Sequence, residues 1–221
     1  MKILEKQGYH FFILLLLLLG VFFAARGDFM VGDFWELTTK NWLWLSILVP
    51  VVHQVYVVIF WRAELHYGWL SKTFGEKAFS LWGAGFMILF LARPLTITGL
   101  ALANRGTLDL PTWLSWILAG ICLILVLYLM VSFVSFFGVK KALGMDHFQP
   151  EIYREMPFVK QGIFRWTNNS MYLFGFLFFW IPGLLLNARA ALLAALFNHL
   201  YIWVHYYFTE YPDMQFIYGE K

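Results

Sequence analysis

From Thr112 to Phe137 the chain carries no Asp, Glu, Lys, Arg or His. A run of that length and character has few stable fates. About 20 apolar residues in a helix span the roughly 30 Å hydrocarbon core of a bilayer. Inside lipid, only helices and closed barrels satisfy their own backbone N–H and C=O groups. Similar stretches recur at Tyr9 to Ala25, Asn41 to Trp61, Ala78 to Ala103, Ser170 to Leu186 and Ala190 to Phe208. The reading is an all-α, polytopic transmembrane bundle of about six helices, one domain over residues 1–221. The chain is 61% hydrophobic and only 13% charged, whereas soluble domains carry about 25% charged residues. Trp42, Trp44 and Trp61 bound the second stretch, as aromatic belts do at membrane interfaces.

Several function classes fall away at once. Net charge is +3 and no basic run with interleaved aromatics stands out, so nucleic acid is not an expected partner. Cys122 is the single cysteine, which rules out an internal disulfide. No glycine-rich phosphate loop, HExxH, Cys/His zinc spacing or nucleophile elbow occurs, and no metal is expected. His199 and His205 are too far apart to share a helical face closely. His10, His66 and His147 have no partner at a ligand spacing.

The loop charges divide unequally. One set of loops holds Lys2, Lys6, Arg62, Lys72, Lys77, Lys140, Lys141, Arg154, Lys160, Arg165 and Lys221. The other holds Arg26, Lys40, Arg105 and Arg189. Eleven against four, under the positive-inside rule, places both termini and the long Gly138–Asn169 connection in the cytoplasm. Lys2 and Lys6 before an apolar run also suit a signal peptide. The bulky Val21-Phe22-Phe23 favours a retained first span. Arg93, before Pro94 in the third span, is expensive in lipid and is expected to face the bundle interior or to snorkel. His53, mid-span, is expected to serve helix packing or a functional site.

Two polar clusters flank the last hydrophobic hairpin. Arg165, Asn168, Asn169 and Tyr172 open one helix; Glu210 and Asp213 follow the next. A helix N-terminus carries free N–H groups and favours a carboxylate. Glu210, beside Tyr206, Tyr207 and Tyr211, suits an amine or a sulfonium, which aromatic faces attract. Together they would suit a zwitterionic ligand with an added positive centre, the character of S-adenosylmethionine. The alternative is a polar, aromatic cap on two helices.

The stretch Gly162 to Gly175 resembles the Gly-Pro-Tyr-Arg-Tyr-x-Arg-His-Pro-x-Tyr-x-Gly signature of the integral-membrane methyltransferases. That superfamily includes the isoprenylcysteine carboxyl and phosphatidylethanolamine N-methyltransferases. Gly162, Phe164, Arg165, Trp166, Met171 and Tyr172 fit it. Asn168 and Asn169 stand in place of Arg and His, Ser170 in place of Pro, and Gly175 comes one residue late. Thr209 to Gly219 is similar to the superfamily's closing acidic motif, with Glu210 matching one acid. The phospholipid branch is the nearer one. The resemblance implies an S-adenosylmethionine-dependent methyltransferase with a lipid acceptor, most simply a phospholipid amine. Its active site would lie on the cytoplasmic face. Residues 138–221 would form the cofactor-binding part. Gly162, Phe164, Arg165, Asn169, Met171 and Tyr172 would line the cofactor and Glu210 would close it, with Glu210 and Tyr172 catalytic. Two rivals remain. His205-Tyr206-Tyr207 and Tyr211-Pro212 also resemble membrane reductases of the steroid 5α-reductase type, in which Lys160 and Arg165 would hold NADPH phosphate. The other rival is a non-enzymatic membrane scaffold with a degenerate pocket.

Overall fold

The computed structural model of the chain describes residues 2–219. Lys221, counted among the loop charges, lies outside the described residues. Among the described residues, four helical stretches are long and apolar enough to cross a membrane: Lys2–Ala24, Thr39–Tyr67, Trp69–Ala103 and Thr112–Phe137. Their regular cores are α1 (Gln7–Ala24), α2 (Thr39–Tyr67), α4 (Ala78–Ala103, preceded by the short α3, Trp69–Phe74) and α5 (Thr112–Ser132). Of the two further spans expected from the sequence, Met171–Leu185 is an apolar helical stretch below spanning length. The other, α10 (Arg189–His205), has 17 residues and continues without a break through Tyr206–Glu210.

Two boundaries differ from the sequence expectation. Arg62 to Lys77, expected as a loop, is mostly helix: α2 runs on to Tyr67, stops at Gly68 and gives way to α3. The carboxylate of Glu64 accepts the Leu70 and Ser71 backbone N–H groups at 2.8 and 3.0 Å, satisfying donors at the start of α3. The polar connection Arg26 to Lys40 contains a small antiparallel hairpin, β1 (Asp33–Phe34) and β2 (Leu37–Thr38). Trp35 and Glu36, both at positive φ, make its turn, the geometry that matches strand twist.

The Gly138–Asn169 connection is structured. It folds as α6 (Val139–Ala142), α7 (Met145–Phe148) and α8 (Pro150–Arg154). Trp82 Nε1 donates to the Leu143 carbonyl at 2.7 Å, fastening it to α4. Arg154 Nε donates to the Ile217 carbonyl at 3.0 Å, fastening it to the C-terminal helix.

The chain then descends through Met171–Gly175, Phe176–Trp180 and α9 (Ile181–Leu185), and returns as α10 (Arg189–His205) and α11 (Tyr211–Tyr218). Helix α10 is the central pillar and packs on α1, α2 and α4. Its Ala190, Ala191, Ala194 and Ala195 are fully buried, so small side chains allow close helix approach. Asn104 caps its start, the Oδ1 accepting the Ala190 N–H at 2.8 Å. Arg93 faces the interior. Its Nε donates to Asn198 Oδ1 at 3.0 Å, and the guanidinium lies 5.0 and 5.2 Å from the Phe176 and Phe179 rings. His53 is buried edge-on against Phe86, with neither ring nitrogen hydrogen-bonded among the described residues.

Candidate functional site

Three helices widen at one end of the bundle. Phe133–Phe137, Met171–Gly175 and Tyr206–Glu210 are each a five-residue π-helical turn. Such turns insert an extra residue into a helix and concentrate at functional sites. Here all three supply walls to the same cavity of about 550 Å³, through Phe137, Met171, Tyr172, Tyr206 and Glu210. That volume lies in the range of small-molecule sites.

The segment opening the first signature is a tight, internally pinned turn. Gly162 has φ +57°, and a Cβ there would come within 2.5 Å of Ser132 Oγ. Ser132 Oγ instead accepts the Ile163 N–H at 3.1 Å. Ser170 is buried, and its hydroxyl lies 3.0 Å from the Ile163 carbonyl and 2.7 Å from that of Thr167. A hydroxyl that bonds across the turn thus occupies the position where proline is usual. The turn delivers Phe164, Asn168 and Asn169 to the cavity, and Met171 and Tyr172 follow on the wide turn. Gly162 and Arg165 do not line it. Gly162 shapes the turn, while Arg165 is exposed and stacks on Trp166 at 5.8 Å. Lys160 is exposed as well and also stands outside the lining.

Tyr172 donates its hydroxyl to Glu210 Oε2, joining the two sequence clusters across 38 residues. The floor beneath them was not foreseen from the sequence. His147 Nδ1 bonds Asp146 Oδ1 at 2.9 Å, and Asp213 Oδ2 stands 3.7 Å from Nε2. The imidazole lies 4.2 Å from the Trp61 ring, nearly parallel to it. Tyr218 donates to Asp146 Oδ2 at 2.9 Å. Gly144, at φ +77°, leaves room for Trp61, whose ring atoms would lie 2.5 Å from a Cβ. His147 therefore has hydrogen-bond and charge partners, which a reading of ligand spacing does not reveal. One is adjacent in sequence and the other is brought by α11, and neither offset is a helical one.

Arg62 explains why the floor holds its shape. It is buried at 1% exposure, although the sequence placed it among the loop charges. Its Nε donates to Asp213 at 3.0 and 3.2 Å. Its terminal nitrogens donate to the carbonyls of Ile3, Glu5, Phe208 and Thr209. Gln7 adds a bond to the Phe208 carbonyl at 3.0 Å and one to Thr209 Oγ1 at 3.2 Å. The N-terminal segment and the wide turn that carries Glu210 are thus stitched through one guanidinium.

The charges perturb one another. Burial, with the nearby negative charges of Asp146 and Asp213 and against the opposing His147, raises Glu210 to about 8. Burial alone would lower His147. The bonded Asp146, and Asp213 acting by charge, outweigh it and raise His147 to about 9. Burial pushes Asp146 up, but the bonds from His147 and Tyr218 and the Lys141 charge leave it below the ordinary carboxylate range. At neutral pH the site therefore holds a largely protonated Glu210 over an imidazolium clasped by carboxylates. An acid that takes up or releases a proton near neutrality, set among aromatic rings, suits a ligand bearing positive charge.

Searches of curated proteins and of solved structures give no match to the chain. A family model does match: phospholipid methyltransferase, over residues 114–221. That segment contains every lining residue of the cavity except Trp61. Residues 114–221 are thus similar to the phospholipid methyltransferase family, consistent with the membrane methyltransferase superfamily that the two signatures resemble.

Proposed function

We propose that the chain is an S-adenosylmethionine-dependent membrane methyltransferase whose acceptor is a lipid amine, with the cavity as its active site at the cytoplasmic face. The observation that carries the reading is the convergence of Asn169, Tyr172 and Glu210 on one cavity within the family-matched segment. The residues fit the cofactor's character. Phe164, Met171, Tyr172 and Tyr206 offer apolar and aromatic faces, Asn168 and Asn169 offer amides, and Glu210 offers an acid for a cationic group. Phe164, Asn169, Met171, Tyr172 and Glu210 would hold it. When bound, S-adenosylmethionine supplies a methyl group on an electrophilic sulfonium. The chain's own contribution is positioning, exclusion of water and removal of a proton. A lipid ammonium must lose a proton to become a nucleophile, and we assign its acceptance to the ionised form of Glu210, which Tyr172 holds. Arg62 holds the segment that bears Glu210 from outside the cavity, whereas His147 lines the cavity itself.

The reductase reading loses its phosphate ligands, because Lys160 and Arg165 are exposed and stand outside the cavity lining. The test is mass spectrometry of host lipids with and without expression, paired with Glu210→Gln. Mono- or dimethylated phosphatidylethanolamine that appears with the wild type and vanishes with the variant is the expected result. An unchanged lipidome, with no S-adenosylhomocysteine released by purified protein in lipid, overturns the proposal.

A further inference from the structure

Lys141, on α6, directs its ammonium at aromatic rings and not at a carboxylate. Nζ lies 5.4 Å from the Phe137 ring centroid and 5.9 Å from those of Phe158 and Tyr218. Among the described residues it has no hydrogen-bond or ion-pair partner. All four side chains line the cavity. The rings come from three separate segments: the end of the α5 stretch, the interfacial connection and α11. Each is held in place. Phe137 stacks on Phe164 at 5.1 Å, Phe158 lies 5.1 Å from Tyr218, and the Tyr218 hydroxyl is fixed by Asp146 at 2.9 Å. Three π faces around one point, with a carboxylate behind them, form the chemistry that retains onium ions, whose diffuse charge is cheaply desolvated. Lys141 is only half-buried and sits on a flexible four-carbon stem.

We propose that the Phe137–Phe158–Tyr218 box is the subsite for the positive centre of the cavity's ligand, an organic sulfonium or alkylammonium, and that Lys141 is its resident stand-in. The ligand's cation displaces the lysine ammonium, because like charges cannot share the box. The onium therefore meets a penalty that a neutral ligand of the same shape does not. The identity of the ligand rests on the methyl-transfer reading, whereas the preference for a cation rests on the box alone.

The test uses the full-length protein in lipid nanodiscs and calorimetric affinities for three probes. These are S-adenosylmethionine, its thioether counterpart S-adenosylhomocysteine, which lacks the sulfonium charge, and tetramethylammonium. Lys141→Met is expected to tighten at least one cationic probe about five-fold, and Phe158→Leu to weaken the same probe by a similar factor. Lys141→Arg, which keeps the charge, should leave it near the wild-type value. S-adenosylhomocysteine affinity should stay unchanged throughout and reports that the variants are folded. A response of S-adenosylmethionine alone assigns the box to the donor sulfonium; a response of tetramethylammonium assigns it to the acceptor ammonium. Equal changes in all three probes, or no change in either cation, overturn the proposal. If both adenosyl probes bind at a constant ratio in every variant and tetramethylammonium does not bind, the box fails while the methyltransferase reading stands. If tetramethylammonium binds and responds while neither adenosyl probe binds, the box stands and that reading fails.

Discussion

Arg62→Met removes the guanidinium that ties the N-terminal segment to the site while keeping most of the aliphatic volume. In the wild type that group satisfies Asp213 and four backbone carbonyls. Breaking a buried ion pair by removing one partner costs about 3–5 kcal/mol, because the remaining charge stays desolvated. Asp213 keeps the imidazole of His147 at 3.7 Å, which limits the loss, so a figure of about 4 kcal/mol follows. For a domain of this size that is a fall in Tm of about 8–16 °C. Thermal unfolding in detergent micelles measures it, with and without S-adenosylhomocysteine. Stabilisation by the ligand should shrink as well, since the lost bonds hold the two carbonyls just before Glu210. The double variant Arg62→Met/Asp213→Asn should recover part of the loss, because both charges then leave together. A Tm within 2 °C of wild type for Arg62→Met, or a double variant as unstable as the sum of the singles, would refute the reasoning.

Glu210→Gln should cut methyl transfer by about 10²-fold or more, the scale of a lost general base, read as S-adenosylhomocysteine release. Because Glu210 sits at about 8, the wild-type kcat/KM should rise with pH up to that value and then level, and a flat profile would remove its role as base. His147, raised from 6.5 to about 9, contributes stability that is complete below pH 6.5 and lost as pH climbs through 9. Glu210, raised from 4.5 to about 8, adds its own decline between those values, so the comparison of wild type with His147→Gln is read on the Glu210→Gln background. That Tm difference should narrow between pH 6.5 and 9.5, and a constant gap would contradict the assignment. Gly162→Ala should destabilise by about 1–3 kcal/mol through the positive φ and the Ser132 clash, the range for strained backbone, measured as a Tm loss; no loss would show the turn to be adaptable.

Much of the architecture was legible because lipid imposes a simple rule on the chain. The apolar runs at Asn41–Trp61 and Thr112–Phe137 announced themselves. The pairing of Tyr172 with Glu210 followed from two clusters at the ends of one hairpin. Residues that act through distant partners stayed hidden. Arg62 looks like an ordinary loop charge until α2 is seen to continue past it, and its partner Asp213 lies 151 positions away. Trp61 reads as an interfacial belt residue, yet its ring supports His147. Arg165 shows the converse: the signature marked it, but the turn that Gly162 shapes sends its side chain to the surface.

The wide turns carry a consequence of angular phase. Each residue of an α-helix rotates its neighbours by about 100°, so one added residue absorbed in a wide turn resets the direction of all that follow. At Met171–Gly175 the glycine that arrives one place late falls within such a turn. There the extra residue is taken up locally, and the apolar face of the descending segment keeps its heading toward α5 and α10. At Tyr206–Glu210 the same device turns an acidic side chain inward at the end of a helix whose other faces meet lipid or packed alanine. A one-residue deletion in either place would leave the composition almost untouched. It would swing the acid or the tyrosine roughly a quarter-turn away from its partner, so this chemistry is set by residue count as much as by residue identity.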